Sequence, residues 1–390
     1  MMLFYLGIIF LAISGSNGQG FFPSEEPCQT VSGTTGDCVN INHCDQLRQL
    51  LNQRRPLPSS TFSILQKSQC GFEGFMPKVC CPRNTQPAPT TTNVTDVPNV
   101  SNEIPSPPDV TNHPNLRLLD NVRCGPIIEP KIVGGNKTTV FEFPWMALIA
   151  YDVGKRYPEF RCGGSVISKR YILTAAHCVT HLKHRLRLVG VRIGEHDLST
   201  ERDCDVEEGV EIACADKYQD FLVERSHPHP GYVGQRAHDI ALIRINGDAN
   251  FQPASVRPIC LPIGEAARVQ RPKVIVTGWG VTESGTRSEN LLKVKVPVLS
   301  HSMCANFYKN EWIDISYRQL CAGGSHGMNS CLGDSGGPMQ FPGSYINGRP
   351  RYIQYGVVSF GPKPCGIEGF PSVYTSVPYY MDWILDTMTD

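Results

Sequence analysis

Over most of its 390 residues the chain runs in short apolar stretches separated by Gly- and Pro-rich breaks. From Cys124 onward the clearest runs are Trp145–Ala150, Tyr171–Thr174, Ile240–Ile245, Val274–Trp279 and Tyr355–Phe360. Their length and spacing predict strands of an all-β sandwich or barrel. The end of the chain departs from this pattern. Tyr380, Trp383, Ile384 and Met388 recur at helical spacing behind Pro378, which predicts a short C-terminal amphipathic helix. At the other end, Leu3 to Ile13 is almost wholly apolar and small residues follow at Ser14, Gly15, Ser16 and Gly18. That run is too short to span a bilayer. It reads as a secretory signal peptide over residues 1–18, cut near Gly18 or Gly20, although a basic residue at its start is missing. No later segment is long and apolar enough to cross a membrane.

Between these ends the composition changes twice. Cys28, Cys38, Cys44, Cys70, Cys80 and Cys81 crowd one short region. A unit over residues 27–82 is too small to bury much apolar surface, so disulfides are expected to staple it. A zinc site is the alternative, but no CxxC pair supports it. From Pro82 to about Arg123, Pro, Thr, Asn and Ser dominate and no apolar period survives, so residues 83–123 read as an exposed, semi-extended linker.

Sixteen cysteines favour an oxidising compartment over the cytosol. Basic and acidic residues balance at 36 each, so nothing in the net charge points to nucleic acid or an anionic membrane. Sequons at Asn93, Asn99 and Asn136 are candidate glycosylation sites in the secretory path. The length calls for more than one domain.

Candidate chemistry centres on Asn329-Ser330-Cys331-Leu332-Gly333-Asp334-Ser335-Gly336-Gly337-Pro338. By itself this is also an ordinary Gly/Asp/Ser turn. As a site, its small residues let backbone N–H groups approach a substrate oxygen, making Ser335 a nucleophile and the N–H groups of Gly333 and Ser335 an oxyanion hole. A nucleophilic serine needs a base, and the base needs an orienting carboxylate. Among eleven histidines, His177 is the best placed, at the end of an apolar run and beside Cys178. Asp239 precedes the apolar run Ile240-Ala241-Leu242-Ile243. Each signal is weak alone, but the order His, Asp, Ser is one of the few known triad orders.

Ile132-Val133-Gly134-Gly135, Thr174-Ala175-Ala176-His177-Cys178, Asp239-Ile240-Ala241-Leu242 and Gly333 to Pro338 closely resemble the chymotrypsin-like serine proteases. The cysteine cluster resembles a clip domain. Together they resemble an arthropod clip-domain serine protease of the prophenoloxidase-activating or easter-like kind. The resemblance implies two six-stranded antiparallel β-barrels over residues 132–390, with the active site in the cleft between them. It makes His177 the general base and later acid, Asp239 its orienting partner and Ser335 the nucleophile. It also implies the pairs Cys28–Cys80, Cys38–Cys70, Cys44–Cys81, Cys124–Cys260, Cys162–Cys178, Cys204–Cys214, Cys304–Cys321 and Cys331–Cys365. Each bridge contributes roughly 2–4 kcal/mol, and the one from Cys124 would keep the two chains joined after activation.

Residues 124–131 resemble the family's activation segment. Cutting after Lys131 would free the α-amino group of Ile132 to pair with Asp334 and set the oxyanion hole. The intact chain is then expected to be nearly inactive, against the plainer view of Lys131-Ile132 as an ordinary exposed bond. The specificity pocket departs from the trypsin-like pattern. Asn329 stands where those relatives carry an aspartate, Ser372 where they carry a glycine, and Ser359-Phe360-Gly361 lacks their strand tryptophan. An arginine entering this pocket would lose its carboxylate partner at a cost of roughly 2–5 kcal/mol, so a P1 residue other than Arg or Lys is expected. Glu368 offers a substitute charge, against the simpler reading of a solvated loop glutamate. Glu195, Asp197, Thr200 and Asp203 crowd one loop in the oxygen-rich pattern that suits Ca²⁺. The family resemblance places a calcium ion on the carboxylates of Glu195 and Asp203 and the carbonyls of Asp197 and Thr200; the alternative is a solvated acidic loop.

The expectation is therefore a secreted zymogen endopeptidase of an extracellular immune or clotting cascade, needing no cofactor for catalysis. The implied partners are a protein substrate, an upstream activating protease and a serpin inhibitor, with no nucleic acid and no membrane. A weakly or non-catalytic clip-domain adaptor is the rival kept open by the altered pocket. A digestive protease is disfavoured by the clip domain, the linker and Lys131.

Overall fold

A computed structural model describes residues 27–82, 104–128 and 137–390, apart from residues 32, 42–43, 52–58, 74–75, 184, 235, 270, 283–284, 310, 325–329, 363–364, 366 and 368. The signal-peptide segment, Asn93, Asn99, Asn136, Lys131, Ile132, Asn329 and Glu368 lie outside the described residues. The chain divides into two compact units, 1–100 and 101–390.

In the first unit, β1 (Pro27–Gln29), β2 (Thr35–Asn40), β3 (Gln69–Glu73) and β4 (Met76–Pro82) form a sheet in the order β1-β2-β4-β3. Helices α1 (Asp45–Leu51) and α2 (Ser59–Ser68) interrupt it; the cysteine pattern carried no signal for them. Its core is small, centred on Ile41, Cys44 and Val79. Bridges Cys28–Cys80, Cys38–Cys70 and Cys44–Cys81 supply the staples that such a core requires.

The second unit holds two closed barrels. The first is built from β5 (Met146–Asp152), β6 (Glu159–Val166), β7 (Tyr171–Thr174), β8 (Arg187–Ile193), β11 (Gln219–Pro228) and β12 (Ala241–Ile245), ordered β11-β12-β7-β6-β5-β8. A separate hairpin, β9 (Cys204–Glu207) and β10 (Val210–Cys214), stands between its fourth and fifth strands in the chain. The second barrel uses β13 (Lys273–Gly278), β14 (Leu292–Leu299), β15 (Gln319–Ala322), β16 (Pro338–Ser344), β17 (Pro350–Phe360) and β18 (Ser372–Ser376), ordered β13-β14-β15-β18-β17-β16. Helix α3 (His301–Lys309) lies between β14 and β15, and α4 (Met381–Thr387) closes the chain. Strands β7 and β12 are buried throughout, which is why they read as continuous apolar runs. Strand β11 alternates exposed and partly buried positions and ends in Pro228, so it carries no comparable apolar run. The barrels meet through side chains as well as backbone: Ser165 Oγ on β6 donates to Gln354 Oε1 on β17 at 2.6 Å.

One expectation is overturned. Composition predicts an exposed linker over residues 83–123, but residues 104–123 pack into the second unit. Val110 and Leu119 are buried in its core, with Leu116 and Leu118 against it. Asn115 Nδ2 donates to the carbonyls of Leu385 and Met388 at 2.9 and 3.1 Å. Arg117 pairs with Asp390. The apolar residues here are scattered among polar ones, so no period marked them. They bury in the core of this unit while Asn115 bonds to the end of α4, and Cys124–Cys260 fixes the segment beyond.

Beside α4, His229 and His238 stack face to face with centroids 4.7 Å apart; Tyr380 packs edge-on to both, and Trp383 packs tilted against His229. Burial, then the neighbouring His238 and Arg318, push His229 down to about 4, against a smaller upward pull from Asp382. Between that value and its ordinary pKa, the unfolded chain binds a proton that the fold does not. Stability is therefore complete above the ordinary histidine pKa and falls as pH drops toward 4. We expect the urea midpoint to fall between pH 7 and pH 4.5, and His229→Asn to flatten that slope. An unchanged slope in the variant would show that other groups set it.

Candidate active site

The register of two strands brings the first pair of candidate residues together. β7 and β12 pair with Thr174 opposite Ala241. His177 lies three residues past Thr174, on a one-turn 3₁₀ helix at Ala176–Cys178, and Asp239 lies two residues before Ala241. Cys162–Cys178 ties the histidine turn back to β6, and Tyr151 Oη donates to the Cys178 carbonyl at 2.6 Å. With the turn pinned, His177 N donates to Asp239 Oδ1 at 2.9 Å and Nδ1 lies 2.8 Å from Oδ2.

The second barrel completes the carboxylate's environment. Ser359 Oγ on β17 donates to Asp239 Oδ2 at 2.5 Å, and Thr375 Oγ1 on β18 donates to the Asp239 carbonyl at 2.7 Å. The Asp239 side chain is only 4% exposed, while that of His177 is 30% exposed. Burial alone would raise the Asp239 pKa. The hydrogen bond and charge of His177, with the Ser359 hydroxyl and the His177 backbone N–H, outweigh it and hold Asp239 below the usual carboxylate range. Asp239 is thus an anion that fixes the imidazole with Nδ1 toward the protein and Nε2 away from it.

Ser335 enters from the turn preceding β16. Its carbonyl accepts from Gly163 N on β6 at 2.8 Å, which anchors the serine across the barrel junction. Ser335, His177 and Asp239 line one cleft of about 380 Å³. Among the described residues the Ser335 hydroxyl makes no hydrogen bond to His177, a contact that commonly tightens only when substrate is bound. The N–H groups of Gly333 and Ser335 are also uncommitted among the described residues. Gly333 has φ +104°, which favours glycine, and a Cβ there would crowd Gly280 Cα at 3.1 Å.

Asp334 points the other way. Its Oδ1 accepts from Gly280 N and its Oδ2 from Cys331 N, each at 2.9 Å. A Cβ on Gly280 would fall 2.5 Å from either carboxylate oxygen. The residue as a whole keeps some surface, yet this carboxyl tip is enclosed, and burial pushes it up to about 6 against the two N–H donors and the charge of Arg287. Among the described residues no cation makes an ion pair with it.

Of the expected pocket residues, Ser359 and Gly361 line the cleft, joined by Ser330 and Phe360. Ser359 has a second task, on Asp239, that the sequence reading missed. Its position in an apolar strand gave no hint of a partner across the barrel junction. Ser372 is buried, with its Oγ close behind Gly361 and without a hydrogen-bond partner among the described residues. Tyr374 Oη donates to Ser330 Oγ at 3.2 Å. Cys331–Cys365 and Cys304–Cys321 brace the loops of this barrel. Arg236, on the connection from β11 to β12, also lines the cleft and was not singled out by sequence.

Family models match both units: Trypsin over residues 132–384 and Regulatory CLIP domain of proteinases over 28–81. The chain belongs to the clip-domain serine proteases. Among curated members of that family it is 35% identical to Melanization protease 1 of Drosophila melanogaster, covering 98% of each chain. It is 38% identical to Serine protease ea of the same species, covering 98% of this chain and 97% of that one. The solved Drosophila Grass clip serine protease of the Toll pathway aligns with a TM-score of 0.62 at 34% identity, covering 93% of this chain and 97% of the other. The clip protease's two six-stranded barrels and short C-terminal helix agree with the fold expected from the motifs.

Away from the cleft, the acidic loop brings Glu195 and Asp203 together and buries both. Asp203 Oδ2 accepts from His196 N and Asp197 N at 2.9 and 3.1 Å, and its Oδ1 accepts from Thr200 Oγ1 at 2.6 Å. The Asp197 carbonyl accepts from Thr200 N, and its carboxylate from Ser199. Burial first, then the hydrogen bond and charge of Asp203, push Glu195 up to about 7, although Arg192 Nη1 lies 3.1 Å from Oε2. Two enclosed carboxylates that repel one another, with hard oxygen donors around them, fit a divalent cation such as Ca²⁺. Cys204–Cys214 closes the neighbouring hairpin.

Proposed function

We propose that this clip-domain serine protease is a catalytically competent endopeptidase, made as a secreted zymogen and activated by cleavage after Lys131. The observation that carries this reading is the anionic Asp239, bonded to both His177 and Ser359 at the back of a cleft that Ser335 shares. In the mechanism, His177 Nε2 takes the Ser335 proton as Oγ attacks the scissile carbonyl. The N–H groups of Gly333 and Ser335 stabilise the developing oxyanion. His177 then delivers the proton to the leaving amine, and water hydrolyses the acyl-enzyme by the same route. No cofactor takes part.

Activation follows from Asp334. Its carboxylate is enclosed without a cation among the described residues. An Ile132 ammonium freed by cleavage would pair with it and fix the Gly333–Ser335 backbone. Cys124–Cys260 would keep the light chain attached. The neutral residue Asn329 and the bulk of Ser372 behind Gly361 favour a P1 side chain other than Arg or Lys. The relatives' names mention melanization, phenoloxidase activation and the Toll pathway. We carry to this chain a place in an extracellular cascade of that kind, with a protein substrate, an upstream activating protease and a serpin as partners. Calcium is proposed on Glu195 and Asp203, with the carbonyls of Asp197 and Thr200.

Trypsin treatment is expected to switch on peptide hydrolysis in the wild type, with neutral P1 peptides cut faster than Arg or Lys peptides. Ser335→Ala should be cut equally but stay inert, and Lys131→Gln should stay inert after the same treatment. Activity in either variant would refute the corresponding assignment, and an inert wild type would leave a non-catalytic adaptor. Calcium at millimolar concentration should raise the melting temperature of the wild type by several degrees, since a ligand bound only to the fold stabilises it by mass action. Glu195→Gln should abolish that rise; an equal rise in the variant would remove calcium from this loop.

A further inference from the structure

Most charge in the cleft is already committed. Asp239 is held by His177 and Ser359, and among the described residues the remaining lining is apolar or neutral apart from Arg236. Its guanidinium carbon lies 4.8 Å from the centroid of Phe360. Phe360 follows Ser359 at the end of β17, so Arg236 reaches from the first barrel across the cleft to the second. Both ends of this contact are held. Phe360 packs edge-on against Tyr308, with centroids 5.6 Å apart. The Arg236 carbonyl accepts from Gln319 Nε2 at 3.2 Å, and Gln319 Oε1 accepts in turn from Ser316 N. Among the described residues no carboxylate pairs with the guanidinium.

A guanidinium held over an aromatic ring can still offer N–H groups to a carboxylate. We propose that Arg236 is a specificity-determining residue that selects substrates carrying Asp or Glu close to the scissile bond. This rests on the endopeptidase reading above and names the substrate class for the same site. A peptide in the cleft would cover the Arg236–Phe360 pair, and its carboxylate would accept two parallel N–H bonds. Partial exclusion of water strengthens such a pair beyond an exposed surface bridge. Selection for acidic over neutral residues by about tenfold in kcat/KM is expected.

The test uses the full chain cleaved after Lys131, with reactive Ser335 counted by a fluorophosphonate. Matched quenched peptides carry Asp, Asn or Lys in turn at each position flanking the cut. At one position Asp should exceed Asn about tenfold, and the ratio should shrink at high salt. Arg236→Gln should bring the ratio to about one, and Arg236→Glu should turn the preference toward Lys. Equal rates for Asp and Asn peptides in fluorophosphonate-reactive wild type overturn the proposal while the endopeptidase reading stands. A ratio that survives in Arg236→Gln overturns it as well. A chain that never reacts with the fluorophosphonate overturns the endopeptidase reading, and the acidic preference with it.

Discussion

The carboxylate of Asp239 is where the two barrels share one hydrogen-bonded group. It leaves the first barrel just before β12 and takes bonds from His177 in that barrel and from Ser359 in the other, while Thr375 holds its carbonyl. A buried anion is costly unless such donors surround it. Separating the barrels would strand it, so the position of the imidazole depends on the docking of both. The small cleft, the orientation of His177 and the placement of Ser335 all follow from that junction.

Asp334 is the opposite case. Its tip is held by two backbone N–H groups and pressed against Gly278 and Gly280, yet no cation pairs with it among the described residues. Leaving a charge enclosed without its partner costs several kcal/mol. The proposed entry of the Ile132 ammonium removes that cost, and the loop it acts on carries both oxyanion N–H groups. On the proposed reading Asp239 and Asp334 divide the work: one fixes the base, and the other would make the oxyanion hole conditional on cleavage.

The sequence revealed parts of this unevenly, for physical reasons. Strands buried on all sides, such as β7 and β12, appear as plain apolar runs, and β11, with one face in solvent and a terminal proline, does not. The C-terminal helix was legible from Tyr380, Trp383, Ile384 and Met388 at helical spacing. Residues 104–123 were misread because Val110 and Leu119 bury without any period among prolines and asparagines. Within the site, His177, Asp239 and Ser335 were legible from motifs. Ser359 and Arg236 were not, because their roles arise from contacts across the barrel junction that no local pattern encodes.

On the proposed reading the chain holds a complete serine-protease site whose competence waits on one cleavage. Its most direct test is the rate at which a fluorophosphonate labels Ser335 before and after cleavage after Lys131. A buried pair of this kind contributes about 3–5 kcal/mol, so labelling should accelerate by at least about a hundredfold in the wild type and far less in Asp334→Asn. Equal labelling of the intact and cleaved chains would contradict the account.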